Sequence, residues 1–269
     1  MNAIAERILL APKYRAMGIP VETVLDLLRM EQGKHRDQKT LEKTVRRKLH
    51  NIMAPYLEDL NYEQAAGWVE DIPDRVPEDL LKQVSEQILL SHASTRERIP
   101  FLQEFYEQIF QVTGVPDAIL DLACGLHPFG LPWMGLPANC TYHAYDIHSP
   151  RVDLINRYFS KLGMLPLAEV QDVLVSPPTT RAQIALLFKE AHRMEKRQIG
   201  CSRPLWEALD VHYLAVSLPT RDLSGDHDLS EKHRSLVRQV CEGKPWEITE
   251  IRFENELVFV IDKEKKCDG

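Results

Sequence analysis

The sequence predicts an α/β protein: a doubly wound, Rossmann-like sheet with an N-terminal helical domain. Three observations predict it. After Gly114 short apolar runs alternate with helical stretches. Two further apolar runs at the end of the chain are separated by a two-residue turn. The first 90 residues, by contrast, read as helices and loops. Strands alternating with helices build a parallel sheet covered on both faces, and a final antiparallel pair extends it.

Taken in order, residues 2–30 read as two short helices broken near Gly18-Ile19-Pro20, with apolar side chains at helical spacing from Val21 to Leu28. A helix follows over 38–54. It places Leu41, Val45, Leu49 and Ile52 on one stripe and basic residues opposite, and Pro55 disturbs its end. Pro73 and Pro77 mark a loop, and 78–90 is helical. Residues 91–98, with three hydroxyl-bearing side chains, interrupt the pattern before a helix over roughly 100–111. The strand-like runs are 118–122, 140–146, 167–173, 184–188 and 213–218, then 246–253 and 256–261 as a hairpin turning at Glu254-Asn255. The expected division is 1–90 for the helical domain with its connector and 91–269 for the sheet.

With 269 residues, 44% hydrophobic and 27% charged, the composition excludes a disordered, collagenous or fibrous chain. No apolar run reaches the ~18 residues of a membrane span, and the first residues lack a secretory cleavage pattern. Five cysteines, with no CxxC pair, point to reduced thiols and a cytoplasmic location. The ten histidines and five cysteines show no metal-ligand spacing, so no metal is expected. The net charge of −7 argues against a polyanionic partner only until it is divided. Residues 1–50 hold eleven Lys/Arg against six Asp/Glu, whereas 51–90 hold two against nine. A basic leader on an acidic body is an electrostatic footprint for a polyanion, although a solvated helix face gives the same pattern. Its densest parts are Gly33-Lys34-His35-Arg36 and Arg46-Arg47-Lys48-Leu49-His50.

Chemistry concentrates at the strand ends. Asp121-Leu122-Ala123-Cys124-Gly125 closes the first strand, where small residues let backbone approach a ligand. Asp146 ends the second strand, placed for two ribose hydroxyls, and Gln171-Asp172-Val173 ends the third, placed for an adenine. A lone DxxxG is weak, because any tight turn favours glycine. The ordered set of Asp121, Gly125, Asp146 and Asp172 is stronger. Without a full GxGxxG, a nucleoside lacking a pyrophosphate is indicated, and S-adenosylmethionine fits better than NAD.

His92-Ala93-Ser94-Thr95-Arg96-Glu97-Arg98, Asp121-Leu122-Ala123-Cys124-Gly125-Leu126, Asp146-Ile147-His148, Gln171-Asp172-Val173-Leu174 and Ser217-Leu218-Pro219-Thr220-Arg221 occur in that order. With Lys13-Tyr14-Arg15, Gly33-Lys34-His35 and Arg47-Lys48-Leu49-His50 in front, the chain resembles the aminoglycoside-resistance 16S ribosomal RNA methyltransferases that modify N7 of a decoding-site guanine. The resemblance runs from about residue 10 to the final hairpin.

It implies a class I S-adenosylmethionine-dependent methyltransferase sheet. Arg98 is implied to hold the methionine carboxylate, in keeping with the planar fork of a guanidinium. His92, Ala93 and Ser94 line the same wall, Ala123 and Gly125 border the methionine portion, Asp146 the ribose, and Asp172 with Val173 the adenine. Phe188 belongs to the same pocket, and Tyr56 corresponds either to an aromatic over the cofactor or to a core tyrosine. Lys189, Glu195 and Arg221 are implied to position the target base, with no general base required. Lys13, Arg15, Lys34, His35, Arg36, Arg46, Arg47 and Lys48 are implied to bind RNA backbone. The partner implied is 16S rRNA within the assembled small ribosomal subunit, met by a monomer. Two departures stand out: Glu190-Ala191-His192-Arg193-Met194 replaces the family's Leu-Pro stretch, and His127-Pro128 stands where many members have Asn-Pro. A neighbouring decoding-site adenine, a small-molecule substrate with the helices as a lid, and a non-catalytic RNA-binding role are the competing readings.

Overall fold

In the computed structural model, which describes residues 1–54, 60–222 and 226–264, the leading helices close a hydrophobic core of their own. They are α1 (Asn2–Leu9), α2 (Pro12–Arg15), α3 (Val21–Glu31) and α4 (Gln38–Met53). Ile8, Val24, Leu27, Leu28, Val45 and Leu49 are fully buried between them. The stretch expected to hold two helices thus holds three, with a further break at residues 10–11. Pro12 opens α2, where its missing N–H costs nothing. Asp37 caps α4 by accepting the Thr40 N–H at 2.8 Å.

Glu31 ends α3, where the helix dipole disfavours an anion. The sequence compensates with two lysines and a histidine. Lys48 reaches its carboxylate at 2.7 Å, His35 at 2.9 Å and Lys34 at 3.3 Å. The hydrogen bond from Lys48, helped by those from His35 and Lys34, outweighs burial and holds the Glu31 carboxyl down to about 2.

Helices α5 (Tyr62–Glu70), α6 (Glu78–Leu89), α7 (Ala93–Arg96) and α8 (Leu102–Thr113) follow. Helix α5 has no counterpart among the expected elements. Its buried positions Ala65 and Val69 are small, and only Asn61, capping Gln64 N–H at 3.1 Å, announces it. Leu60, Val69, Ile88, Phe105 and Ile109 lie in the same core as residues of the sheet. The separation of cores therefore falls before residue 60, and does not coincide with the expected division at 90.

The sheet comprises β1 (Ala118–Leu122), β2 (Thr141–Asp146), β3 (Ala168–Val170), β4 (Ala182–Phe188), β5 (Val211–Pro219), β6 (Glu247–Arg252) and β7 (Glu256–Asp262), in the order β3-β2-β1-β4-β5-β7-β6. The first five strands are parallel, and β7 runs antiparallel between β5 and β6. All the expected strands form, although β3 ends at Val170 and leaves Asp172 and Val173 in the following turn. Helices α8 and α9 (Ser149–Lys161) pack into the core on one face. Helices α10 (Ala191–Arg197), α11 (Ser202–Ala208) and α12 (Ser230–Cys241) pack into the core on the other, around the buried Trp206. Strand order reverses between β1 and β4, so their carboxyl ends frame the crevice in which such sheets bind ligands.

The front helices meet the sheet body closely at Met17 and Gly18. Met17 O accepts the Ser149 N–H at 2.9 Å, and Gly18 lies beside it with φ +57°. A Cβ at position 18 would stand 2.5 Å from the Ser149 Cβ. Gly18→Ala is expected to lower stability by roughly 1–3 kcal/mol through strain at this point, read as a lower Tm. Acid is expected to loosen the front helices separately. The Glu31 pKa is depressed on folding, so its contribution is complete above the ordinary value of 4.5 and is lost as pH falls toward about 2. Thermal melts over that pH range should show Glu31→Gln losing less stability with acid than the parent chain.

Candidate active site

Among the described residues, two other than glycine have left-handed backbone, Ala123 at φ 49° and Lys189 at φ 56°. They follow β1 and β4, one on each side of the crevice. Strained non-glycine backbone persists where surrounding structure over-determines it, and it collects at functional sites. For Lys189 the determinants are visible. Its N–H donates to Ser217 O at 2.9 Å and lies 3.1 Å from Ser217 Oγ, so β5 fixes the turn leaving β4.

Asp146 closes β2 with 3% exposure. Its Oδ2 accepts the Gly125 N–H at 3.0 Å and Arg151 Nη1 at 3.1 Å, while Oδ1 accepts the His148 N–H at 2.9 Å. The loop after β1 is therefore tied to the end of β2, and Oδ1 retains acceptor capacity for a ribose hydroxyl. A Cβ on Gly125 would meet nothing within 4 Å, so space opens in front of this loop. Asp172, 5% exposed, accepts from Thr23 Oγ1 at 2.8 Å, Arg197 Nη1 at 2.7 Å and the Leu174 N–H at 3.2 Å. Val173 beside it is buried.

On the β4 side, Arg98 is buried against Phe105 and Phe188, its guanidinium carbon 4.3 and 5.0 Å from their ring centroids. Nε and Nη2 donate to the two oxygens of Glu256 at 3.2 and 2.5 Å. Lys189 Nζ lies 3.5 Å from the same carboxylate and 2.8 Å from Glu97. Burial pushes the Glu256 carboxyl up, but the charges of Arg98 and Lys189 and hydrogen bonds from Arg98 and Ser217 hold it below the ordinary glutamate range. Two cations thus meet one fully buried anion, and Lys189 is paired in addition with the half-exposed Glu97. His92 accepts the Ser94 N–H and caps α7, fixing the start of this segment. Ala93 is exposed.

The structure therefore brings Arg98, Phe188 and Lys189 into one cluster, and joins Gly125 to Asp146 in another. Glu195 has a different occupation. Its carboxylate accepts the Gly200 N–H at 2.6 Å and the Ser202 N–H at 2.9 Å, which shapes the turn into α11. Arg221 is exposed after β5 and forms a bridge pair with Asp228. Tyr56 lies outside the described residues. In the altered segment, burial and the neighbouring His233 push His192 down to about 3, so its ring is neutral at physiological pH. His127 is buried, its Nδ1 2.8 Å from Asp121 and its Nε2 2.9 Å from the Tyr106 hydroxyl, so it braces the loop after β1 from below.

Sequence reasoning missed Glu256, Arg151 and Arg197. Two of them left a signal. Glu256 is an anion at the head of an otherwise apolar strand, and Arg151 is a cation in the first turn of α9, where the helix dipole opposes it. Arg197 has none, because a cation in the last turn of a helix is ordinary.

On the front helices the eight selected cations divide. Lys34, His35 and Lys48 are drawn to Glu31, Arg46 to Glu42, and Lys13 to His50. Arg15, Arg36 and Arg47 are exposed and make no ion pair among the described residues. Lys39 and Lys43, also exposed, stand in i,i+4 register with Arg47 and continue its row along α4. That spacing was readable in the sequence and was passed over for the denser clusters. Among the described residues no group of three or more His, Cys, Asp or Glu could hold a metal, and no helix is long and apolar enough to cross a membrane.

The chain matches the family described as ribosomal RNA methyltransferase (FmrO) over residues 11–260. It is 31% identical over 234 residues to the 16S rRNA (guanine(1405)-N(7))-methyltransferase of Frankia casuarinae, covering 84% of this chain and 81% of that one. Among solved structures, the 16S rRNA methylase RmtB aligns with a TM-score of 0.80 and 27% identity over 98% of each chain. The 16S rRNA methyltransferase RmtF in complex with S-adenosyl-L-homocysteine aligns with a TM-score of 0.76 and 26% identity over 97% of each. Since the likeness extends through the front helices as well as the sheet, the chain belongs to the FmrO family of ribosomal RNA methyltransferases.

Proposed function

We propose that the protein transfers a methyl group from S-adenosylmethionine to N7 of guanine 1405 in 16S rRNA, the activity named for its relative from Frankia casuarinae. The observation that carries this reading is the family match from residue 11 to residue 260, which includes both the cofactor crevice and the basic helices. The substrate form is the assembled small subunit, met in the cytoplasm by a single copy of the chain.

The donor set fits the cofactor. Two buried carboxylates, Asp146 and Asp172, suit ribose hydroxyls and the adenine amino group. The shared charge of Arg98 and Lys189 suits an amino-acid carboxylate. S-adenosylmethionine, when bound, supplies a methyl group made electrophilic by its sulfonium. Guanine N7 carries an in-plane lone pair and no proton, so no side chain has to act as a base. The protein's work is alignment and exclusion of water. Ala123 and Gly125 let backbone approach the methionine portion, Val173 flanks the adenine, and Phe188 with His92 and Ser94 closes the wall opposite. Lys189, held by Ser217 and Glu256, and Arg221 beyond β5 meet the extruded base or its flanking phosphates. Glu195 acts at one remove, by shaping the turn it caps. The row Lys39, Lys43 and Arg47, with Arg15 and Arg36, meets the phosphate backbone, since rRNA is recognised largely by shape and charge.

Methyl transfer to assembled small subunits, followed by mapping of the modified base, tests the function directly. Methyl on N7 of guanine 1405 is expected, whereas methyl on the adjacent adenine refutes the guanine assignment. Bacteria expressing the protein are expected to resist gentamicin and kanamycin and to remain sensitive to apramycin. Asp146→Ala should abolish S-adenosylmethionine binding in calorimetry. Glu256→Gln, which leaves two buried cations without their shared anion, should weaken that binding by about tenfold and lower Tm. Reversing Lys43 and Arg47 to Glu should weaken subunit binding. It should also flatten the salt dependence, by nearly one log unit for each phosphate no longer neutralised. Unchanged salt dependence favours a small-molecule substrate instead.

A further inference from the structure

Asp172, assigned above to the adenine end of the cofactor, is held by a side chain from the front helices. Thr23, on α3 and fully buried, donates its hydroxyl to Asp172 Oδ2 at 2.8 Å across 149 residues of sequence. The same oxygen receives Arg197 Nη1 at 2.7 Å from the last turn of α10. Arg197 Nη2 turns back to Asp26 Oδ2 at 3.0 Å, one helical turn beyond Thr23 on α3. One guanidinium therefore bridges a carboxylate of the cofactor crevice and a carboxylate of the front helices. Its side chain is only 9% exposed, so the pairing is sheltered from solvent and salt. Among the described residues Asp172 Oδ1 accepts the Leu174 N–H alone, at 3.2 Å, and keeps capacity for a ligand donor.

We propose that Thr23 and Arg197 are positioning residues of the cofactor site, so that helix α3 completes the adenine end without touching it and cofactor binding is coupled to seating of the front helices. The proposal rests on the assignment of Asp172 to the adenine. Two fixed donors on Oδ2 leave Oδ1 to aim at the ligand, whereas an Asp172 lacking the Thr23 hydroxyl can rotate. Linkage makes the effect mutual: what helix α3 contributes to cofactor affinity, bound cofactor returns as tighter docking of α3. The residue types suit the task, since Thr has a single short hydroxyl and Arg alone offers a planar fork able to serve two carboxylates.

Calorimetry of the full chain with S-adenosylhomocysteine tests this. Thr23→Val keeps shape and burial and removes only the hydroxyl. It is expected to raise Kd about fivefold to twentyfold, while Thr23→Ser stays within about twofold of the parent. Asp26→Asn, which leaves Thr23 and Asp172 intact, is expected to raise Kd by about threefold. Amide hydrogen exchange supplies an independent readout. S-adenosylhomocysteine should slow exchange in residues 21–31 of the parent and leave those of Thr23→Val unprotected. Asp172→Asn separates the adenine assignment from the coupling. If it binds like the parent, the adenine assignment fails and this proposal falls with it. If it binds weakly while Thr23→Val binds like the parent, the assignment stands and the coupling is refuted. If Thr23→Val is too unstable to assay, Asp26→Asn decides, and parent-like affinity with parent-like protection of α3 overturns the proposal.

Discussion

A buried carboxylate must be paired, and at the carboxyl edge of this sheet three of them are paired with arginines brought from other elements. Asp146 takes Arg151 from α9, Asp172 takes Arg197 from α10, and Glu256 takes Arg98 from the segment ahead of α8. Leaving any one of these charges alone in the interior would cost several kcal/mol. The same pairs fix the loops: Asp146 also fastens Gly125, Asp172 also fastens Thr23, and Glu256 also fastens Lys189. The crevice is thus shaped before any ligand arrives.

On the proposed mechanism this arrangement has no need of acid–base machinery. Preorganised charge needs no proton transfer to do its work, only correct placement in a dry site. His127 and His192 have other duties. The first is locked between Asp121 and Tyr106, and the second is held neutral beside His233. His127 therefore belongs to supporting structure, and His192 carries no charge in its segment.

Much of the fold was legible because the parallel strands are continuous apolar runs, such as 184–188, and because the chain ends in an alternating pair with a two-residue turn. The carboxylates at the ends of β2 and β3 were legible for a related reason: an acid directly after an apolar strand has few places to go except the edge of the sheet. What could not be read was their pairing. Arg98 and Glu256 are brought together only by the insertion of β7 between β5 and β6, and nothing local to either residue encodes that insertion. Helix α5 escaped notice because it buries small side chains. The split of the cores before residue 60 escaped notice because α5 and α6 carry the same amphipathic pattern whichever body they pack against. Basic clusters proved ambiguous for an electrostatic reason, since Glu31 and Glu42 pair with four of the eight basic residues selected in front.

The strand carrying Glu256 also sets an order of events during biosynthesis. Arg98 and its partner stand 158 residues apart, so on the ribosome Arg98 emerges long before the anion that neutralises it. Until β7 slots beside β5, Arg98 has no buried anion to meet and the crevice has one wall too few. A nascent chain lacking that hairpin keeps Arg98 solvated and cannot bury the segment around it. The Arg98 side of the crevice is therefore completed only when the last hairpin joins the sheet.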